Sequence, residues 1–132
     1  MQNQKKIDAT LQIITCVNED SEKAMVRAKK TLAFYVSVGK IYREFLALNG
    51  FENETKNIYE EYEKNGLQNN HELVPESMVD ELCIAGTSDE CKSQLKQFRE
   101  TGIDLPIIQF NPTDNVENSF DLVTSTFSEG ID

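Results

Sequence analysis

Residues 74–112 contain the pattern that most constrains the fold of this 132-residue chain. Two short apolar runs, Leu82–Ala85 and Leu105–Phe110, are the length of buried β-strands. Between them lies a polar segment in which apolar residues recur at helical spacing. Because a strand, a helix and a second strand follow in this order, the stretch predicts a βαβ unit with parallel strands.

The predicted helix of this unit has a start and a stop signal. Thr87 and Glu90 have the spacing of a capping box, in which each side chain bonds the other residue's backbone N–H group. Gly102 stands where a left-handed C-terminal cap is expected. The apolar face of the helix consists of Cys91, Leu95 and Phe98.

The remaining patterns complete an α/β fold of three parallel strands with about six helices. A first strand is predicted over Ala9–Val17, which has almost no polar face. Three helices are predicted to follow it, separated by Gly39 and Gly50, and a short one begins near Pro75. A last helix follows Asn111-Pro112-Thr113. No linker or internal repeat divides the chain, so residues 1–132 are predicted to form a single domain.

The βαβ stretch resembles the C-terminal part of the luciferase-like monooxygenase superfamily. The resemblance rests on Ile84-Ala85-Gly86-Thr87-Ser88-Asp89-Glu90, on Gly102-Ile103-Asp104 and on Ile107-Ile108-Gln109, and extends more weakly through Ser21–Gly50. It implies a (β/α)8 TIM barrel, of which this chain would be a part, because a complete barrel takes about 250 residues. It also implies FMN or coenzyme F420 as cofactor, bound at the carboxyl ends of the strands.

The predicted strand ends supply the candidate site residues. The resemblance implies that Asn18, Gly86, Thr87, Gln109 and Asn111 line the rim of the cofactor site. Backbone N–H groups at Gly86-Thr87 could seat a phosphate, although capping alone also explains this turn. Gln109 and Asn111 could bond a flavin ring edge, or Asn111-Pro112-Thr113 could simply turn the chain into its last helix. No residue pattern identifies a catalytic residue.

Other residues that could carry chemistry have structural explanations. His71, in a polar loop without a motif partner, is expected to face solvent. Three cysteines, an odd number, are expected to be buried free thiols: Cys16, Cys83 and Cys91. The absence of a CxxC motif and the single histidine argue against a metal site.

Composition limits the partners. A net charge of −10 with scattered basic residues argues against nucleic acid. No apolar run reaches the roughly 20 residues of a membrane span, and no signal peptide is recognisable, so we expect a cytoplasmic protein.

Two functions remain open. The resemblance implies an oxidoreductase or monooxygenase that uses a flavin or F420, although so short a chain would hold only part of the site. The alternative is a non-catalytic truncated barrel module that acts in assembly or as a subunit. In either case an incomplete sheet predicts a homo-oligomer or a missing N-terminal barrel partner, unless the helices repack to cover the sheet.

Overall fold

The computed structural model describes residues 10–100, 105–113 and 115–127. Within these residues a three-stranded parallel sheet forms the centre of the fold, with strands β1 (Thr10–Val17), β2 (Cys83–Gly86) and β3 (Leu105–Phe110). The order is β2-β1-β3, so β1 is the central strand. The α/β class with three parallel strands is therefore confirmed.

Six α-helices surround the sheet in the described part of the chain, in agreement with the prediction. They are α1 (Ser21–Val38), α2 (Lys40–Leu46), α3 (Glu52–Asn65), α4 (Glu76–Leu82), α5 (Ser88–Glu100) and α6 (Val116–Phe127). A wide turn over Ala47–Phe51 joins α2 to α3, and a short 3-10 helix occupies Asn70–Leu73. Gly50 adopts a φ of 103°, which explains why a glycine separates α2 from α3.

The predicted capping box at α5 is present. The Thr87 N–H group donates to Glu90 Oε1 over 2.9 Å, and the Glu90 N–H group donates to Thr87 Oγ1 over 3.3 Å. These bonds satisfy two of the N–H groups that a helix leaves unpaired at its start. The cap predicted at Gly102 lies outside the described residues.

Helices of the same chain cover both faces of the sheet. Ile14 and Cys16 of β1 belong to a buried cluster with α1, α3 and α4 on the first face. Ile13 and Val17 belong to a second cluster, formed with α5 and α6 on the opposite face. Adjacent residues of a strand point to opposite faces of the sheet. Consecutive residues of β1 are apolar because both of its faces are buried.

A side chain covers part of the open edge of β2. The Ala85 N–H group donates to Gln94 Oε1 over 2.8 Å, and Gln94 Nε2 donates to the Ala85 carbonyl over 2.9 Å. The amide of Gln94 therefore pairs with Ala85 as a neighbouring strand would. This pairing reduces the number of free backbone groups at an edge that could recruit another chain.

Within the described residues, no helix is both long and apolar enough to span a membrane.

Candidate functional site

The strand order creates a crevice at the carboxyl edge of the sheet. After β1 the chain enters α1, which packs on the first face, whereas after β3 it enters α6, which packs on the second face. Where consecutive connections leave two neighbouring strands toward opposite faces, a crevice opens outside the strand ends, and parallel α/β folds bind ligands there. The helix that follows β2, α5, also packs on the second face, so the junctions of β1 with β3 and with β2 both meet this condition. The β1–β3 junction is described first.

Two of the predicted site residues lie at this junction. Asn18 Nδ2 donates to Thr113 Oγ1 over 2.9 Å, and this hydroxyl in turn donates to the Val17 carbonyl over 3.2 Å. The Asn111 N–H group donates to the Thr15 carbonyl over 3.2 Å, which continues the pairing of β1 with β3. These bonds hold the two strand ends together across the crevice.

Asn111 and Gln109 also connect β3 to α1. Thr31 Oγ1 donates to Asn111 Oδ1 over 3.0 Å, and Asn111 Nδ2 donates to the Gln109 carbonyl over 2.9 Å. Gln109 Nε2 donates to the Tyr35 hydroxyl over 2.6 Å. Both residues therefore have a structural role. Side-chain hydrogen bonds, as well as backbone ones, hold the segment between β3 and α6 in place.

The other predicted residues, Gly86 and Thr87, lie at the opposite end of this edge. The N–H groups of Thr87 and Ser88 donate to the carboxylates of Glu90 and Glu19, over 2.9 and 3.0 Å respectively. Capping accounts for this turn, since a phosphate there would have to displace two carboxylates. Gly86 has a φ of 144°, and a Cβ atom at this position would collide with the Glu90 side chain.

The crevice at the β1–β3 junction has a volume of about 730 Å³. Its walls come from the first half of α1 and from the segment that follows β3. The lining residues are Asp20, Glu22, Lys23, Val26, Arg27, Lys30, Pro112 and Thr113.

A second cavity, of about 520 Å³, adjoins the crevice on the other side of Arg27 and Lys30. It lies between the second half of α1, the 3-10 helix and Asn111. The lining residues are Arg27, Lys30, Thr31, Phe34, Tyr35, Leu67, Gln68, Asn70, His71 and Asn111. Both volumes are within the range of about 300–1,000 Å³ that is typical of small-molecule sites.

Three buried polar atoms without a hydrogen-bond partner in the described part of the chain all belong to residues that line this cavity. They are Arg27 Nε, Asn70 Oδ1 and His71 Nδ1. Buried polar atoms are nearly always paired in folded proteins, so a bound ligand or ordered water is expected to complete the hydrogen bonds of these three atoms. The expectation that His71 faces solvent is wrong: its ring is partly buried against this cavity.

Basic side chains form a row on α1 beside the crevice and the cavity. Lys23, Arg27 and Lys30 recur at intervals of four and three residues, which places them on one side of α1. The interpretation of the basic residues as scattered is therefore incomplete, because three of them lie together beside the crevice. Helical spacing was a signal from which this row could have been predicted.

The cysteines do not contribute a nucleophile. Cys16, Cys83 and Cys91 are free and buried, as predicted. Burial raises the pKa of the Cys16 and Cys91 thiols to about 12, and the charge of Arg27 opposes this effect only in part at Cys16. Burial raises the pKa of Cys83 as well. A thiol with so high a pKa is protonated and unreactive at neutral pH.

Comparison with protein families gives the lineage. The sequence model of the luciferase-like monooxygenase family matches residues 2–105. The chain therefore belongs to the luciferase-like monooxygenase family, and the resemblance identified from the βαβ stretch is confirmed. No curated protein matches the chain. The matched region includes α1 and all the cavity-lining residues except Asn111, and it ends at the start of β3.

Proposed function

We propose that this family member is part of a flavin- or deazaflavin-dependent oxidoreductase and that it binds FMN or coenzyme F420 in the crevice. The family assignment supports an oxidoreductase of the monooxygenase type. The observation that carries the choice of site is the row of basic side chains at the β1–β3 junction, where the strand order opens the crevice.

The crevice residues suit the anionic part of either cofactor. FMN and F420 both carry phosphate, and Lys23, Arg27 and Lys30 offer ammonium and guanidinium donors to such a group. Asp20 and Glu22, at the N-terminal end of α1, would repel phosphate there. The phosphate is therefore expected to bind at the end of the crevice that carries Lys23, Arg27 and Lys30. It is not expected to bind at the N-terminus of α1.

The residues of this chain would bind the cofactor and position it at the strand ends. The Asn18–Thr113 hydrogen bond keeps the ends of β1 and β3 at a fixed separation, and the basic row neutralises the charge of the cofactor. When bound, either cofactor supplies hydride transfer at its ring. FMN and F420 are equally compatible with these residues, so both belong in the test.

The test is a titration of the purified chain with FMN and, separately, with F420, followed by cofactor fluorescence. We expect saturable binding of one of them, and we expect Lys23→Met to weaken it severalfold. Lys92→Met is the matched control, because Lys92 is an exposed lysine on α5 that lines neither opening. The proposal is wrong if neither cofactor binds, or if the two variants bind it equally.

A second candidate function is that of a module that assembles with other chains. In the described residues β2 and β3 each pair only with β1, so both outer edges of the sheet are open to another strand. The partner would be a second copy or a chain that supplies an N-terminal barrel segment. Against this candidate, Gln94 covers part of the β2 edge, and Pro106 removes one N–H donor from β3. Light scattering that shows only monomers at micromolar concentration would exclude self-assembly.

A further inference from the structure

We infer that the 520 Å³ cavity beside His71 is a binding site for a small organic anion that carries a hydrogen-bond donor on a flat apolar body. This inference does not depend on cofactor binding in the crevice. It rests on three properties of the lining: a buried hydrogen-bond acceptor that lacks a donor, two cationic side chains, and an apolar wall.

The acceptor is Asn70, whose side chain is 1% exposed. Asn70 Nδ2 donates to Ser37 Oγ over 2.8 Å and to the Ile58 carbonyl over 3.3 Å. These two bonds fix the orientation of the amide, because the reverse orientation would place its oxygen against the Ile58 carbonyl. The atom without a partner is therefore Oδ1, an acceptor, and a ligand hydroxyl or N–H group would satisfy it.

The cations are Arg27 and Lys30. Arg27 is partly buried, and its Nε has no partner among the described residues. Lys30 lies one turn further along the same side of α1 and is exposed. A guanidinium N–H group in a partly desolvated position binds a carboxylate or a phosphate strongly. In a chain with a net charge of −10, a cationic cavity favours an anionic ligand over a neutral one.

The apolar wall consists of Phe34, Tyr35 and Leu67. Phe34 is 46% exposed and Leu67 is 43% exposed, which is high for such large apolar side chains. A flat ring placed against them would remove this apolar surface from water. An aromatic acid with a ring hydroxyl combines all three features that the lining requires.

The test compares four probes that share one ring: 4-hydroxybenzoate, benzoate, phenyl phosphate and benzamide. Binding is followed through the imidazole NMR signals of His71, which is the only histidine of the chain. We expect 4-hydroxybenzoate to bind about fivefold more tightly than benzoate, because its hydroxyl can donate to Asn70. Neutral benzamide should bind at least about tenfold more weakly than benzoate. The order of benzoate and phenyl phosphate decides between a carboxylate and a phosphate ligand, and either order supports an anion site.

Two lysine variants locate the binding. Lys30 lines the cavity, whereas Lys23, exposed on the same helix, lines only the crevice. Lys30→Met should weaken binding of 4-hydroxybenzoate about fivefold, and Lys23→Met should weaken it clearly less, because Lys23 does not line the cavity. The inference is overturned if no probe shifts the His71 signals at millimolar concentration, if benzamide binds as well as benzoate, or if the two variants behave alike. Failure of FMN and F420 to bind would leave these results unaffected, so the two proposals can fail separately.

Discussion

Replacement of Gly86 by alanine tests the turn that joins β2 to α5. Gly86 has a φ of 144°, a conformation that costs a residue with a side chain about 1–3 kcal/mol. The new Cβ would also lie 3.1 Å from Glu90 Cβ and would collide with the end of that side chain. Displacement of the carboxylate would break its bond to the Thr87 N–H group, at a cost of about 0.5–1.5 kcal/mol. We therefore expect Gly86→Ala to lower the free energy of unfolding by about 2–4 kcal/mol.

The assay is urea denaturation, with the slope of the transition checked against that of the parent chain. Thr87→Ala is the comparison variant, because it removes only the long 3.3 Å bond to the Glu90 N–H group. Its cost should lie near the lower end of the range for a helix cap, about 0.5–1 kcal/mol. A Gly86→Ala variant as stable as Thr87→Ala would show that neither the positive φ nor the contact with Glu90 constrains this turn.

Three further changes have expected outcomes. Burial raises the pKa of Cys16 from 9.0 to about 12, so its contribution to stability is complete below pH 9 and should be lost between pH 9 and 12. The difference in thiolate absorbance between the parent chain and Cys16→Ala, folded and in urea, measures both pKa values, since Cys83 and Cys91 also absorb when ionised. Thr31→Val should cost about 1–3 kcal/mol, because it leaves the buried Asn111 Oδ1 without its donor, whereas Thr124→Val on the exposed side of α6 should cost far less in the same denaturation assay. Gln94→Ala should uncover the edge of β2 and increase the mass seen by light scattering at high concentration, and an unchanged mass would mean that this edge does not recruit other chains.

Local signals predicted most of the secondary structure. The capping box of α5 could be predicted because its two hydrogen bonds join residues only three positions apart. The doubly apolar sequence of β1 likewise predicted a buried parallel strand. The strand order could not be predicted in this way, because it depends on which face each connecting helix covers, and that is decided by contacts between distant segments.

The candidate site shows the same division. Asn18 and Asn111 could be chosen because strand ends are visible in the sequence, and the structure brings both to the β1–β3 junction. The cavity could not be predicted, since Asn70 and His71 reach it from a loop that has no sequence motif. Their role depends on the packing of the 3-10 helix against α1, which brings together residues more than 30 positions apart.

The two proposed sites share Arg27 and Lys30, and this sharing has a thermodynamic consequence. An anion in the crevice and an anion in the cavity would draw on the same two positive charges and would repel each other across them. Each ligand should therefore weaken the binding of the other, and linkage requires the two factors to be equal. The measurement is the dissociation constant of 4-hydroxybenzoate with and without saturating cofactor, and that of the cofactor with and without saturating 4-hydroxybenzoate.

We expect both constants to rise by the same factor, and we expect Lys30→Met to reduce that factor because it removes one of the shared charges. Lys23→Met should reduce it less, since Lys23 lines the crevice alone. If both ligands bind and neither affects the other, then Arg27 and Lys30 do not serve both openings, and the crevice and the cavity are electrostatically independent sites.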